Sequence, residues 1–235
     1  MTHRHRRPDP RLADEGRQDE KHCRRVDLNA GWYNVRRNWR LRICRGSAER
    51  FISALPGFVK FVMADALPDI IAERLAVVFC GINPALSAAR SGHHFSNPTN
   101  RFWRVLHVAG FTPHLIQTAD DRTILQFACG LTAAVQRPTT RASEVTQHEF
   151  RRGAKALERT IERYHPRYLA FLGKPAFAAL FNQRNVAWGR QPIVFAGARV
   201  WVLPNPSGLN RAFGLQALVA AYQELRDASI RDRHD

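Results

Sequence analysis

The chain has 235 residues and a formal net charge of +16, from 36 Lys+Arg against 20 Asp+Glu, with an isoelectric point near 11.1. That length suits one α/β domain of about 150–200 residues plus an extension, and the charge points to an anionic partner, most often nucleic acid. No apolar run is long enough to span a membrane, and the four cysteines (Cys23, Cys44, Cys80, Cys129) have neither metal-ligand spacing nor the density of a disulfide framework, so reduced thiols are expected. Only four of the basic residues are Lys, so a codon bias toward Arg is an alternative source of part of the charge.

Residues 1–62 differ in composition from the rest of the chain. They hold 15 Lys+Arg against 7 Asp+Glu, while the remainder holds 21 against 13. Thr2 to Arg25 has the composition of a disordered tail. Aromatics and leucines appear from Trp32 to Val62 without a sustained period of 2 or 3.6, and Pro56 and Gly57 break the apolar stretch that a secretory signal would need. Two readings remain: a basic arm that tethers DNA, or sequence upstream of a true start at Met63. The second is preferred, because an ordinary domain begins at Met63 and runs to Asp235.

From there the elements alternate. Leu67 to Leu75 reads as a short entry helix with Pro68 in its first turn. Leu75 to Cys80 is a continuous apolar run, suited to a strand covered on both faces. Gly81 to Pro98 is loop. Asn100 to Ala109 carries a helical apolar stripe (Phe102, Trp103, Leu106, Val108) closed by Gly110. A short helix over Asp121–Phe127 precedes a second strand, Gly130–Val135. Thr146 to Tyr164 is the longest helix, with Phe150, Leu157 and Ile161 facing inward and Pro166 beyond its end. Tyr168–Leu172 is a third strand and Lys174–Phe181 a helix. Ile193–Ala196 and Val200–Leu203 form a strand pair turning at Gly197, and Gln216–Arg226 is the last helix. Strand–helix alternation predicts an α/β fold with a largely parallel sheet and helices on both faces.

Two strand ends deliver similar text: Gly81-Ile82-Asn83-Pro84 and Leu203-Pro204-Asn205-Pro206-Ser207-Gly208-Leu209. Adjacent parallel strands would bring both loops into one crevice, where open α/β sheets bind ligands. There is no phosphate-binding loop lysine motif, no G-x-G-x-x-G, no nucleophile elbow and no zinc spacing. Asn83 is too weak a base to take a proton, yet its amide oxygen can orient a water, and Pro84 fixes the backbone beside it. The same Asn-Pro pair also makes an ordinary Asx-type turn. Phe95 could stack on a flat ligand or plug the loop onto the core. His93 and His94 could bond phosphate or loop carbonyls, or stand solvated. Leu209 could wedge into a base stack or dock on its own domain, and Arg211 could be an ordinary surface arginine.

Taken in order, Gly81-Ile82-Asn83-Pro84, Gly92-His93-His94-Phe95, Asn100-Arg101-Phe102-Trp103, Arg137-Pro138-Thr139 and Pro204-Asn205-Pro206-Ser207-Gly208-Leu209 resemble the mismatch-specific uracil-DNA glycosylase family, with thymine-DNA glycosylases as close relatives. The similarity runs from about Met63 to Arg226. It implies the uracil-DNA glycosylase-like three-layer fold, a short parallel central sheet flanked by helices. It further implies monofunctional hydrolysis of the N-glycosidic bond of uracil mispaired with guanine, and of thymine or ethenocytosine so paired, without cofactor or metal. By this resemblance Asn83 positions the attacking water, Phe95 stacks on the extruded base, and Ile82, Ala88, His94 and Asn205 complete the base pocket. Ser207, Gly208, Leu209 and Arg211 contact DNA, the leucine filling the vacated space. The implied partner is double-stranded DNA carrying a G·U or G·T mismatch, met by a monomer in a bacterial cytoplasm, away from any membrane. Three departures stand out: Ala85 in place of a common glycine, Ala88 as a small residue that leaves room for a 5-methyl group, and Ala133 in place of a polar side chain. A catalytically weak DNA-lesion binder, a small-molecule nucleotide hydrolase and a related glycosylase branch acting on single strands are the competing readings.

Overall fold

The computed structural model describes residues 67–232 and, before them, only the antiparallel pairing of Arg24–Arg25 with Arg42–Ile43. The chain divides into Met1–Phe61 and Val62–Asp235, and the second unit is described by itself. The expected tail, the start at Met63, and Cys23 and Cys44 lie outside the described residues.

Five strands form one sheet: β1 (Val77–Gly81), β2 (Cys129–Ala133), β3 (Tyr168–Leu172), β4 (Gly189–Phe195) and β5 (Ala198–Leu203). Their spatial order is β2-β1-β3-β5-β4. All neighbours are parallel except β4 and β5, an antiparallel pair turning at Gly197. The α-helices are α1 (Leu86–Ser91), α2 (Phe102–Val108), α3 (Gln147–Tyr164), α4 (Lys174–Phe181) and α5 (Leu215–Arg231), and the short helix expected over Asp121–Phe127 is a 3-10 helix, Thr118–Phe127. From β1 the chain crosses to β2 on one side and returns to β3 on the other. The crevice between β1 and β3 is thus the switch point at which such sheets bind ligands.

Alternation along β1 divides the core. Val77 and Phe79 pack with Phe102, Leu106, Leu218 and Tyr222 of α2 and α5. Val78 and Cys80 pack with Phe150, Leu157, Ile161 and Phe177 of α3 and α4. An apolar run without polar breaks is what burial on both faces demands, and the expected three-layer α/β arrangement is observed. Cys80 and Cys129 are free thiols in this core, and burial pushes Cys129 up to about 12. The start of α3 follows from its own residues: Thr146 Oγ1 accepts from Glu149 N–H (3.3 Å), and Glu149 Oε2 accepts from Thr146 N–H (2.9 Å), a reciprocal cap. Among the described residues no helix is long and apolar enough to cross a membrane.

Two expectations fail. Leu67–Leu75 is not helical, because Ile70 exchanges both backbone hydrogen bonds with Leu131 (2.9 and 2.7 Å). The segment thereby covers the free edge of β2, where unpaired backbone groups need partners. The loop expected over 81–98 contains α1, ended by Gly92 at φ +74°, whose N–H reaches the Ala88 carbonyl. Ala85, where a glycine was expected, sits at φ −71° and ψ 151°. That is ordinary extended backbone, so the position makes no demand for glycine.

Helix α3 approaches the end of β2 so closely that a Cβ on Gly153 would lie 2.0 Å from the Ala134 carbonyl oxygen. Gly153→Ala must push the helix off the sheet, and overpacking of this kind costs about 1–3 kcal/mol. A melting temperature lower by about 5 °C in a thermal scan is the expected result, and an unchanged one contradicts this packing.

Candidate active site

The two Asn-Pro loops do meet, although not from adjacent strands as expected. β3 stands between β1 and β5. It ends level with β5, Leu172 pairing with Leu203, and then leaves the sheet: Gly173, at φ +102°, donates its N–H to Leu203 O (2.7 Å) and turns into α4. A Cβ there would touch Asn205 at 3.5 Å. Leu172 is left as part of the lining, with Asn83 and Asn205 around it, in a cavity of about 250 Å³. Sites for drug-sized ligands run from about 300 to 1,000 Å³, so this one suits a single planar ring.

Asn83 lies two residues beyond the end of β1, and its side chain is held rather than free. Nδ2 donates to Arg137 O (2.9 Å) and to Thr139 Oγ1 (2.7 Å). A carbonyl oxygen only accepts, so the group facing Arg137 must be the NH₂. The Thr139 hydroxyl donates onward to Arg141 O (2.8 Å), leaving its lone pair for Asn83. Oδ1 accepts no protein hydrogen bond among the described residues and remains available as an acceptor. The two loops are sewn together beside it, Thr139 N–H to Pro84 O and Leu86 N–H to Thr139 O, each 3.1 Å. The Asx turn considered for Asn83 is absent. Asn205 makes one instead, its Oδ1 accepting from Ser207 N–H (2.9 Å).

Phe95 adopts φ +55°, a conformation that a bulky residue holds only when its surroundings impose it. Here they do. Its ring stacks on Phe102 with centroids 3.9 Å apart and planes 21° from parallel. The neighbouring His94 is buried and bonds a loop carbonyl rather than standing solvated. Its N–H donates to Asp121 Oδ2 (2.8 Å), its carbonyl accepts from Trp103 Nε1 (3.2 Å), and its Nε2 lies 2.9 Å from Pro68 O. That carbonyl can only accept, so Nε2 carries the hydrogen and Nδ1 is an acceptor. Burial lowers the His94 pKa, against the opposing pull of the Pro68 carbonyl and Asp121, which keeps the ring neutral near pH 7. Ala88 of α1 and Ala133 of β2 form a small apolar wall of the same cavity.

The Leu209 loop closes the other side. Leu209 is 82% exposed, so it does not dock on its own domain. Arg101 grips the loop through main-chain carbonyls: Nε to Pro206, Nη1 to Phe213, and Nη2 to Ser207 and Asn210. A Cβ on Gly208 would lie 2.6 Å from Thr99 O, so only glycine fits there. Ile82, Asn83, Ala88, His94, Phe95, Asn205, Ser207, Gly208 and Leu209 therefore share one cavity, and Arg211 is exposed outside its lining. Thr139, Arg101 and Phe102 also belong to the site, although their residue types alone assign them no role. All three lie within the motifs that carry the family resemblance, which is the one signal the sequence offers for them.

The platform under Asn83 depends on Arg137, whose guanidinium pairs with both Glu149 oxygens (2.5 and 3.1 Å). The Arg137 bond, with the Thr146 cap behind it, holds the Glu149 carboxyl down to about 2. A depressed carboxyl stabilises the fold above its unfolded value of about 4.3, and that contribution is lost as pH falls toward the folded value. The melting-temperature gap between wild type and Glu149→Gln should therefore narrow from about pH 4.5 down to about pH 2. A constant gap across that window contradicts the ion pair.

Residues 68–226 match the sequence profile of the Uracil DNA glycosylase superfamily. Among solved structures, one from Methanosarcina acetivorans, described as a candidate uracil DNA glycosylase, is similar at 19% identity, covering 69% of this chain and 98% of that chain with a TM-score of 0.48. The profile match spans well over half of the chain, in agreement with the three-layer fold and the strand-end cavity, and the chain belongs to the uracil DNA glycosylase superfamily.

Proposed function

We propose that this chain removes uracil from G·U mismatches in duplex DNA, and thymine from G·T mismatches more slowly. Its superfamily consists of DNA glycosylases, which hydrolyse N-glycosidic bonds. Preference for a mismatch, and the residue roles tied to it, are our own reading. The observation that carries it is Asn83: an amide locked by Arg137 and Thr139 with its oxygen left as an acceptor, in a ring-sized cavity beside stacked Phe95.

The target nucleotide rotates out of the helix, a step costing a few kcal/mol and least at a mismatch. The base enters the cavity and extends the Phe102–Phe95 stack. Asn205 Nδ2, which has no protein acceptor among the described residues, is free to donate to a base carbonyl. Asn83 Oδ1 accepts a hydrogen bond from a water and aims its oxygen at C1′. The C–O bond forms as the C1′–N1 bond breaks, the bonding pair leaves with uracil as an anion, and the water's proton passes to solvent. Asn83 orients the nucleophile without deprotonating it, so turnover is slow. Leu209 enters the gap left in the stack, and Ser207, Gly208 and Arg211 lie against DNA.

Single-turnover excision of uracil opposite G, opposite A and in a single strand tests this reading. Asn83→Ala should slow the G·U reaction on the order of 100-fold. G·U should exceed A·U by about tenfold, because flipping is easier at the mismatch. A fully active Asn83→Ala overturns the mechanism, and equal rates on every substrate overturn the mismatch preference. Ala88→Ser adds a polar atom to the small wall, and thymine excision should fall about tenfold more than uracil excision. Equal losses on both remove the steric account.

A further inference from the structure

Arg101 stands at the start of α2 and directs its entire guanidinium into one loop. Nη1 donates to Phe213 O at 2.7 Å, Nη2 to Ser207 O and Asn210 O at 2.9 Å each, and Nε to Pro206 O at 3.3 Å. Its backbone N–H also donates to Pro206 O (3.0 Å). Every acceptor is a neutral main-chain carbonyl, and among the described residues no carboxylate pairs with Arg101. The positive charge at the root of the loop is thus uncompensated.

The loop is braced elsewhere too. Tyr222 donates its hydroxyl to Pro204 O (3.3 Å), Gly208 lies against the Thr99 backbone, and Phe213 meets Trp188 edge to face with centroids 5.3 Å apart. Among these anchors the tip stands out into solvent, with Leu209 at 82% exposure. A bare leucine on a floppy loop would collapse onto the domain or fluctuate, and it would have to be ordered each time DNA was engaged. Held in advance, it meets the helix already shaped as a wedge.

We infer that Arg101 is the positioning residue that preforms the Leu209 wedge, and that it acts through the leucine rather than on the chemistry at Asn83. This rests on the glycosylase reading above. Lysine is the informative replacement. It keeps the charge but presents a single ammonium that cannot reproduce a planar fork reaching four carbonyls.

Two measurements on the full chain test the inference. In the first, amide exchange is followed without DNA. Arg101→Lys should speed exchange at Asn210, whose N–H donates to Ser207 O, by at least about tenfold. The amides of Ala134 and Val135, bonded to Gly81 O and Ile82 O beneath the catalytic loop, should keep their wild-type protection. In the second, single-turnover excision on a G·U duplex is run as a double-mutant cycle. Arg101→Lys and Leu209→Ala should each slow the reaction about tenfold or more, and the double variant should be no slower than Leu209→Ala alone. Unchanged exchange at Asn210, equal loosening at Ala134 and Val135, or losses that multiply in the double variant would each overturn the inference. A wild-type chain that excises no uracil would instead strike the glycosylase reading, and the exchange result would stand apart from it.

Discussion

The hydrogen bond from Asn83 Nδ2 to Thr139 Oγ1 (2.7 Å) is the constraint on which the rest of the site depends. An amide side chain can present either end, and only one end accepts. Arg137 O and Thr139 Oγ1 take both N–H groups, and Thr139 has already given its own hydrogen to Arg141 O. No flipped arrangement satisfies the same partners, since an amide oxygen facing the Arg137 carbonyl would set two acceptors together. The backbone pairing of Pro84 and Leu86 with Thr139 makes the arrangement rigid. The Arg137–Glu149 pair ties it to the capped end of α3.

The first turn of α2 joins the other two parts of the site. Arg101 and Phe102 are consecutive. The first reaches into the Leu209 loop and the second supports the ring of Phe95. Phe102 in turn rests edge-on against Phe79 of β1, with Phe111 and Tyr222 on the same ring. The Phe95 ring and the Leu209 loop, to which base stacking and helix wedging are proposed to belong, are therefore referenced to the same strand that delivers Asn83. A shift of α2 moves the Phe95 ring and the Leu209 loop together, so their spacing relative to the Asn83 amide is set by the aromatic core.

Much of this fold was legible because periodicity and caps are local. β3 and α4 fall where the apolar runs and the break at Gly173 put them, and α3 fills the Thr146–Tyr164 stretch marked by its apolar face, with Thr146 as its cap. The failures involve distant partners. Leu67–Leu75 had a plausible helical pattern, but its backbone is recruited by the edge of β2, which no short window of sequence reveals. The site divides in the same way. Asn83, Phe95 and Leu209 drew attention as residues in polar loops, but each kept an ordinary alternative until the order of the motifs and the family resemblance grouped them. Thr139 and Arg101 did not, because their partners are an amide more than fifty residues away and a set of main-chain carbonyls. Asn205 showed as a pocket residue, but the Asx turn that fixes it was expected at the other asparagine, Asn83.

Thr139→Val tests the central claim most directly. It keeps the shape of a buried side chain and removes the hydroxyl that accepts from Asn83 and donates to Arg141 O, leaving the Arg137 carbonyl as the remaining distant partner of the amide. The account predicts that single-turnover excision from a saturating G·U duplex falls by at least about tenfold, while affinity for the duplex stays close to wild type. A Thr139→Val enzyme that cleaves at the wild-type rate would contradict it.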